Sequence, residues 1–136
     1  MFLHTLIPPT AKRVQLRTKN EDNQMILEKT LSNIEAYRNK SRQEILERIN
    51  ALDKEWDTER ILETTAASIF LFTTILGFQK NKRWFALNGI AGIFLLQHAL
   101  QGWCPPLPII RKLGIRTSSE INEEKTALQK IYDSLE

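Results

Sequence analysis

The chain of 136 residues has a single cysteine, Cys104, so it can form neither an intrachain disulfide nor a cysteine-cluster metal site. Glycine and proline are absent between Ser41 and Gly77, so no strong helix breaker interrupts that stretch. Histidine occurs twice, and no phosphate-binding glycine loop, zinc ligand set or Ser-His-Asp arrangement is present. We therefore expect a protein that is not an enzyme and that needs no cofactor.

The first twenty residues contain basic side chains and no acidic one. Such a segment on a membrane protein interacts most simply with anionic lipid headgroups, at about 1 kcal/mol for each nearby cation. Aromatic residues do not alternate with these cations, so we expect no nucleic-acid partner. The segment Met1–Ile7 has no preceding positive charge and no long apolar core, so we do not expect a cleavable signal peptide.

Two apolar segments dominate the middle of the chain. Ile61–Phe78 contains one charged residue, Glu63, and Trp84–Trp103 contains none. As helices they are about 27 and 30 Å long, which matches a hydrocarbon core of roughly 30 Å. The sequence thus predicts an all-α fold, an integral membrane hairpin of two transmembrane helices flanked by amphipathic cytoplasmic helices. The alternative, a buried hairpin of a water-soluble protein, lacks the other apolar sequence needed to cover it.

The predicted hairpin divides the chain into four regions. Residues 1–21 form a flexible basic tail, 22–60 a charged helical region, 61–103 the two-span hairpin, and 104–136 a proline-rich turn, an interfacial segment and a C-terminal helix. The helix that begins after Ser41 is expected to continue unbroken into the membrane, because nothing before Gly77 interrupts it.

Two capping boxes, Ser41–Glu44 and Thr117–Glu120, predict the starts of helices outside the hairpin. Apolar residues recur at helical spacing over 45–56 and again over 121–135. These two stripes are expected to pack on each other or on another subunit. We therefore expect self-association or membership of a larger membrane complex.

Lysine and arginine near the membrane ends predict the orientation of the hairpin. The terminal side carries six of them and the turn carries three, so both termini are expected in the cytoplasm. The cations expected to bind lipid headgroups are Lys80, Lys82, Arg83, Arg111, Lys112 and Arg116.

Polar side chains inside the two spans are expected to face each other, because polar groups are costly in hydrocarbon. Residues at equal depth in such an antiparallel pair have numbers that sum to about 162, since the two helices rise equally. Glu63 then lies level with His98 and Gln101, and Asn88 lies level with Thr74. A Glu63–His98 hydrogen bond is either a proton site, with haem ligation through His98 as a related alternative, or a contact that only joins the helices.

Cys104 follows the second apolar segment and precedes two prolines. A thiol attacks as its thiolate, and the C-terminal end of a helix disfavours an anion. Arg111 or Lys112 compensates if the turn folds back. Cys104 is thus a candidate reactive thiol, with a buried small residue at a helix end as the alternative.

Several short motifs flank the hairpin: Glu59-Arg60 before the first span, Gly102 and Cys104-Pro105 after the second, and Leu113-Gly114-Ile115. In these motifs the segment from about Glu59 to Arg116 resembles the YgaP-like transmembrane domain. That resemblance implies a multi-pass protein of the bacterial inner membrane. Some relatives carry a fused rhodanese sulfurtransferase, which this sequence does not contain, so the resemblance implies a separate rhodanese-type protein as a partner.

The leading functional hypothesis is a non-catalytic membrane anchor or accessory subunit whose partners are the lipid bilayer and a membrane complex. The first alternative is thiol or persulfide relay through Cys104. The second is haem or proton handling through His98 and Glu63.

Overall fold

A computed structural model describes residues 7–135, and these residues form seven α-helices and no strand. The helices are α1 (Arg13–Leu16), α2 (Asn20–Tyr37), α3 (Arg42–Leu52), α4 (Thr58–Gln79), α5 (Trp84–Gln101), α6 (Leu107–Lys112) and α7 (Ser118–Ser134). The all-helical fold expected from the sequence is confirmed.

The chain forms two compact units, and each draws on both sides of α4 and α5. The first joins the described residues up to 18 with 59–109, and the second joins 19–58 with 110–135. The four contiguous regions drawn from the sequence stay a prediction, and part of the expected tail, residues 1–6, lies outside the described residues. Within that tail α1 is helical and Val14 is buried.

The second unit has a core between α3 and α7. Ile45, Ile49 and Leu52 pack with Ile121 and Leu128 in one buried cluster. These residues belong to the two apolar stripes that the sequence left without an assigned partner. Because the stripes cover each other, they no longer provide a reason to expect association with another subunit.

Both predicted capping boxes are present. The Ser41 hydroxyl accepts a hydrogen bond from the Glu44 amide, and the Thr117 hydroxyl accepts one from the Glu120 amide. Hydrogen bonds from Ser41, together with Lys40, lower the pKa of Glu44 to about 2. Each box satisfies amides that a helix start otherwise leaves unpaired.

A buried ion cluster centred on Arg116 lies in the second unit. The Arg116 guanidinium donates to Glu124, which is fully buried, and to both carboxylate oxygens of Glu55 at 2.9 and 2.6 Å. Arg48 donates to the other oxygen of Glu124 at 2.9 Å. Burial alone raises the pKa of Glu124, but the hydrogen bonds from Arg116, Arg48 and Asn33 outweigh burial and hold that pKa below its ordinary value.

The helix that begins after Ser41 does not run into the membrane segment, so that expectation was wrong. It ends at Leu52, and α4 starts anew at Thr58. The carbonyl of Arg116 accepts a hydrogen bond from the Thr58 amide at 2.8 Å, while its guanidinium holds Glu55. These tertiary contacts outweigh the local preference for a continuous helix.

Two of the six cations assigned to lipid headgroups are buried inside the second unit. Arg111 and Arg116 are 0 % and 2 % exposed. Arg111 makes two hydrogen bonds of 2.7 Å to the carboxylate of Glu120 and a third, of 3.0 Å, to Asn23. Their assignment to headgroups was wrong, because their charges are neutralised inside the unit. Headgroup binding stays a prediction for the exposed cations Lys80, Lys82, Arg83 and Lys112.

The first unit is built on α4 and α5, which contact each other as antiparallel helices. The rings of Phe78 and Phe85 meet edge to face with centroids 5.2 Å apart. Farther from the turn, Asn88 donates to the Thr74 hydroxyl at 2.9 Å, as its expected depth indicated. A Cβ at Gly77 would lie 2.7 Å from the ring of Phe85, so any larger residue there would displace that ring.

By length and composition, α4 is the one helix within residues 7–135 that is apolar enough to cross a membrane. Only 17 % of the most apolar stretch of α4 is buried, whereas the core helix of a water-soluble domain is mostly buried. The sequence predicted a second membrane span over α5, but α5 is not identified as a candidate span by length and composition. The polar side chains within α5 are Asn88, Gln97, His98 and Gln101.

Gly102 ends α5 in the left-handed conformation, with φ of 77°, which favours glycine. A Cβ at this position would overlap the backbone of Arg13. The segment that contains α1 therefore lies directly against the C-terminal end of α5.

Replacing Glu124 by glutamine should destabilise the protein by about 3 kcal/mol at pH 7, because it removes the carboxylate from a buried ion cluster. The pKa of Glu124 in the folded protein lies below the ordinary value of 4.5. Its contribution is therefore complete above that ordinary value and is lost as the pH falls through the folded value. The difference between the two proteins should shrink in acid.

Denaturant unfolding in detergent, followed by far-UV circular dichroism at several pH values, measures both effects. Glu123→Gln is the matched control, since Glu123 is exposed beside Glu124, and it should change stability by less than about 0.5 kcal/mol. Equal stability of the two variants at pH 7 would contradict a structural role for the cluster.

Candidate functional site

A polar cluster lies at the C-terminal end of α5, and we call Arg13, Glu59, His98 and Cys104 the thiol cluster. The Nε2 atom of His98 lies 3.1 and 3.0 Å from the two carboxylate oxygens of Glu59. Arg13 donates to the same carboxylate at 3.0 Å. His98 and Cys104 are buried, 2 % and 3 % exposed, and the thiol interacts with the imidazole.

Local structure explains how these side chains meet. His98 lies in the last turn of α5, and the left-handed turn at Gly102 reverses the chain directly after it. Cys104 follows, and its carbonyl accepts a hydrogen bond from the Leu107 amide at 3.0 Å as α6 begins. Glu59 comes from the first turn of α4, which runs antiparallel to α5 and thus begins beside the end of α5.

The hydrogen bond to Glu59 fixes the tautomer of His98. A carboxylate only accepts hydrogen bonds, so Nε2 carries the proton that His98 donates. The Nδ1 atom of a neutral ring is then a proton acceptor, and it is buried without an aligned hydrogen bond from any described residue. Thiol, imidazole and carboxylate thus follow the order found in cysteine nucleophiles, in which the carboxylate orients the base.

The prediction that His98 pairs with Glu63 was wrong. Glu63 is exposed, and Glu59, one turn earlier, binds the imidazole. The two carboxylates are four residues apart and share a face of α4. Arg13 also binds Glu59, and no spacing in the sequence indicated that contact. Any proton handling at this end of the helices therefore involves His98 with Glu59.

The other polar residues expected within the spans lie apart from the His98–Glu59 contact. Asn88 is bound by Thr74 and Thr73 between the two helices. Gln101 is half-buried, and its carbonyl accepts a hydrogen bond of 3.4 Å from Arg17. Among residues 7–135, no group of three or more His, Cys, Asp or Glu side chains is arranged to hold a metal ion.

An apolar groove of about 440 Å³ runs along α4 and α5 and reaches the thiol cluster. Its volume lies within the roughly 300–1,000 Å³ typical of small-molecule sites. Phe72, Trp84 and Leu87 line it towards the turn, and His98, Cys104 and Pro106 line it at the other end. The buried thiol therefore opens onto an apolar space.

A double-mutant cycle tests the partner of His98. Glu59→Gln combined with His98→Gln should give a coupling energy of about 1 kcal/mol or more, since the two side chains are in contact. The matched cycle with Glu63→Gln should give less than about 0.5 kcal/mol. Denaturant unfolding of the purified proteins in one detergent measures both, and equal coupling in the two cycles would contradict the assignment of Glu59.

Comparison with known proteins bears on the segment that contains α4, α5 and most of the thiol cluster. No curated protein and no solved structure matches the chain. Residues 57–120 match the family described as inner membrane protein YgaP-like, transmembrane domain. This match confirms the resemblance found between Glu59 and Arg116: residues 57–120 are similar to the transmembrane domain of the inner-membrane YgaP-like family.

Proposed function

We propose that the protein is a non-catalytic inner-membrane anchor or accessory subunit in which α4 and α5 both cross the bilayer. The observation that carries this proposal is the composition of the second unit. Residues 19–58 lead up to α4, whose first residue is Thr58, and residues 110–135 follow α5, yet the two segments fold together. Two segments that share one core lie on one side of a membrane, so the chain between them crosses an even number of times. Since α4 is a candidate span, α5 is the helix that returns.

The surface of α5 supports this topology. Large apolar side chains are exposed on both helices, including Leu71 and Phe78 on α4 and Ile93 and Leu96 on α5, which are 60–81 % exposed. Water-soluble monomers rarely expose continuous apolar patches of more than a few hundred Å². Hydrocarbon around both helices removes that surface from water.

The second unit is proposed to face the cytoplasm, together with both termini. Six lysine and arginine residues lie near the membrane ends on the terminal side, against three in the turn between α4 and α5. Three of the six, Arg48, Arg111 and Arg116, form ion pairs within the second unit. The count still favours this orientation, because the rule depends on the number of lysines and arginines and acidic residues contribute little.

As an anchor, the protein presents a folded helical unit at the membrane surface. Its α2 helix exposes Met25, Leu27 and Leu31, and assembly with a larger membrane complex is proposed to use the exposed surfaces of this unit or of α4 and α5. Native mass spectrometry from bilayer discs measures the stoichiometry, and a particle that is monomeric at all concentrations and binds no other protein in its native membrane would contradict the accessory role.

Single-cysteine labelling tests the topology. In a Cys104→Ser background, Lys82→Cys should react with a membrane-impermeant maleimide from the outer face, because Lys82 lies in the turn between the spans. Ser118→Cys, an exposed position in the second unit, should react only after the cytoplasmic face is opened. Labelling of both positions from the same face would overturn the two-span topology, and exchange of the two results would overturn the orientation.

A second candidate function is persulfide relay through Cys104, and it is favoured by the contact of the thiol with the His98–Glu59 pair. In such a relay the thiolate of Cys104 attacks the outer sulfur of a donor persulfide. The donor sulfur–sulfur bond breaks, a new one forms at Cys104, and the donor leaves as a thiolate. A rhodanese-type protein is the proposed donor.

Alkylation and sulfur transfer separate relay from simple anchoring. If Cys104 relays sulfur, iodoacetamide should modify the native protein quickly near pH 7, because the thiolate is the attacking species. Exposure to a rhodanese persulfide should add one sulfur atom to Cys104, as measured by mass spectrometry, and His98→Gln should slow that transfer. A thiol that stays unmodified until the protein unfolds would end the relay hypothesis and leave the anchoring role in place.

A further inference from the structure

We propose that the apolar groove holds a single hydrocarbon chain and that Cys104 accepts a long-chain acyl group from a thioester donor. This inference goes beyond the anchoring function, and it shares with persulfide relay only the reactivity of Cys104. Two independent observations meet at this position: an elongated apolar groove and a buried thiol beside an oriented imidazole.

The shape of the groove indicates one extended chain. Its lining runs from Trp84 in the first turn of α5 to His98 in the last, a rise of about 21 Å. An apolar groove of this length accommodates an extended hydrocarbon chain.

The lining also selects the chemistry of the occupant. Along α4 the groove is bordered by Leu62, Ala66 and Ile69, and polar groups enter it at Thr65, Thr73 and the thiol end. The thiol itself is 3 % exposed, so a reagent that reaches it through the groove is apolar along most of its length. An acyl chain whose carbonyl lies at His98 and Cys104 meets both conditions.

The imidazole is arranged to assist transfer. Because Nε2 donates to Glu59, Nδ1 is the atom that accepts a proton, and it is buried at the end of the groove without an aligned partner among the described residues. His98 Nδ1 is therefore placed to hold the thiol proton, and the protonated ring stabilises the attacking thiolate of Cys104. Arg13 holds Glu59 in place through its ion pair.

Cations at the same end of the unit indicate an anionic carrier. Arg13, a member of the thiol cluster, is paired with Glu59, whereas Arg17 is exposed and binds the carbonyl of Gln101 at the end of α5. Arginine favours phosphate groups through its planar set of donors. A fatty acyl group carried on a phosphate-bearing thiol, such as coenzyme A, matches an apolar groove with an exposed arginine near the end of α5.

The reaction is a thioester exchange without oxidation or reduction. The Cys104 sulfur attacks the acyl carbonyl carbon, a new carbon–sulfur bond forms, and the carbon–sulfur bond to the carrier breaks. The proton moves from the thiol to His98 and then to the departing carrier thiolate. The products are S-acylated Cys104 and the free carrier thiol.

The experiment uses the full chain in bilayer discs, with palmitoyl-coenzyme A and acetyl-coenzyme A as probes. Palmitoyl transfer to Cys104 is expected, detected by intact mass and reversed by hydroxylamine, while acetyl transfer should be slower by about tenfold or more, since discrimination rests on the apolar contacts. His98→Gln should slow palmitoyl transfer on the order of 10²-fold. Cys104→Ser should not be acylated.

A matched pair of variants separates the groove from simple partition of the probe into the bilayer. Ala91→Phe fills the groove, whereas Ala86→Phe adds the same bulk at an exposed position on the same helix that does not line it. Ala91→Phe should slow transfer by about tenfold or more, and Ala86→Phe should not. If Ala91→Phe fails to insert, Ala66→Phe on α4 replaces it, with the exposed Ala67→Phe as its control.

Equal rates for the filled and control variants would overturn the groove as the acyl site. An unmodified Cys104 in protein whose thiol forms a persulfide would overturn acyl transfer while leaving relay intact. Topology labelling on the same discs reports separately whether the two-span anchor has formed, so failure of the anchoring proposal is not mistaken for failure of this one.

Discussion

The second unit depends on the burial of one charge, the guanidinium of Arg116. A cation removed from water costs several kcal/mol unless carboxylates and hydrogen-bond acceptors surround it. Arg116 finds them on three different parts of the chain: Glu55 after α3, Glu124 on α7, and the hydroxyl of Thr30 on α2. Any arrangement of the helices that separates these groups leaves a charge buried without a partner. The ion cluster therefore selects one packing of helices whose apolar contacts alone tolerate several.

The same residue also sets where α4 begins. Its backbone carbonyl binds the amide and hydroxyl of Thr58, at 2.8 and 3.1 Å. Fixing Thr58 fixes the start of α4, and Glu59 follows in the first turn. Arg116 thus closes the turn before α4 from a position 58 residues beyond Thr58.

Features that arise from short-range rules were predictable from the sequence, and those that arise from distant pairing were not. The capping boxes and the stripe of Ile45, Ile49 and Leu52 depend on neighbours within a few residues, and the structure contains them. Asn88 and Thr74 lie at the same depth because antiparallel helices rise equally per residue. By contrast, the contact of Arg116 with Glu55 joins residues 61 positions apart. No periodicity in the sequence indicates such a pair. The buried Arg111 and Arg116 were therefore assigned to lipid headgroups, and the turn between Leu52 and Thr58 was predicted as continuous helix. For the same reason, the spacing of residues correctly predicted that His98 lies near a carboxylate of α4, but it indicated Glu63 where the structure has Glu59, one turn earlier.

The contact between Gly102 and the backbone of Arg13 has a consequence for the order of biogenesis. The segment around α1 leaves the ribosome before α4 and α5, but the surface it lies against is not complete until the end of α5 has been synthesised. At about 5–20 residues per second, that interval is on the order of ten seconds. During that time the segment around α1 lacks its contact with Gly102. The Arg13–Glu59 ion pair is not yet supported by that contact. Docking of the segment around α1 against Gly102 is thus completed only after both apolar helices have emerged.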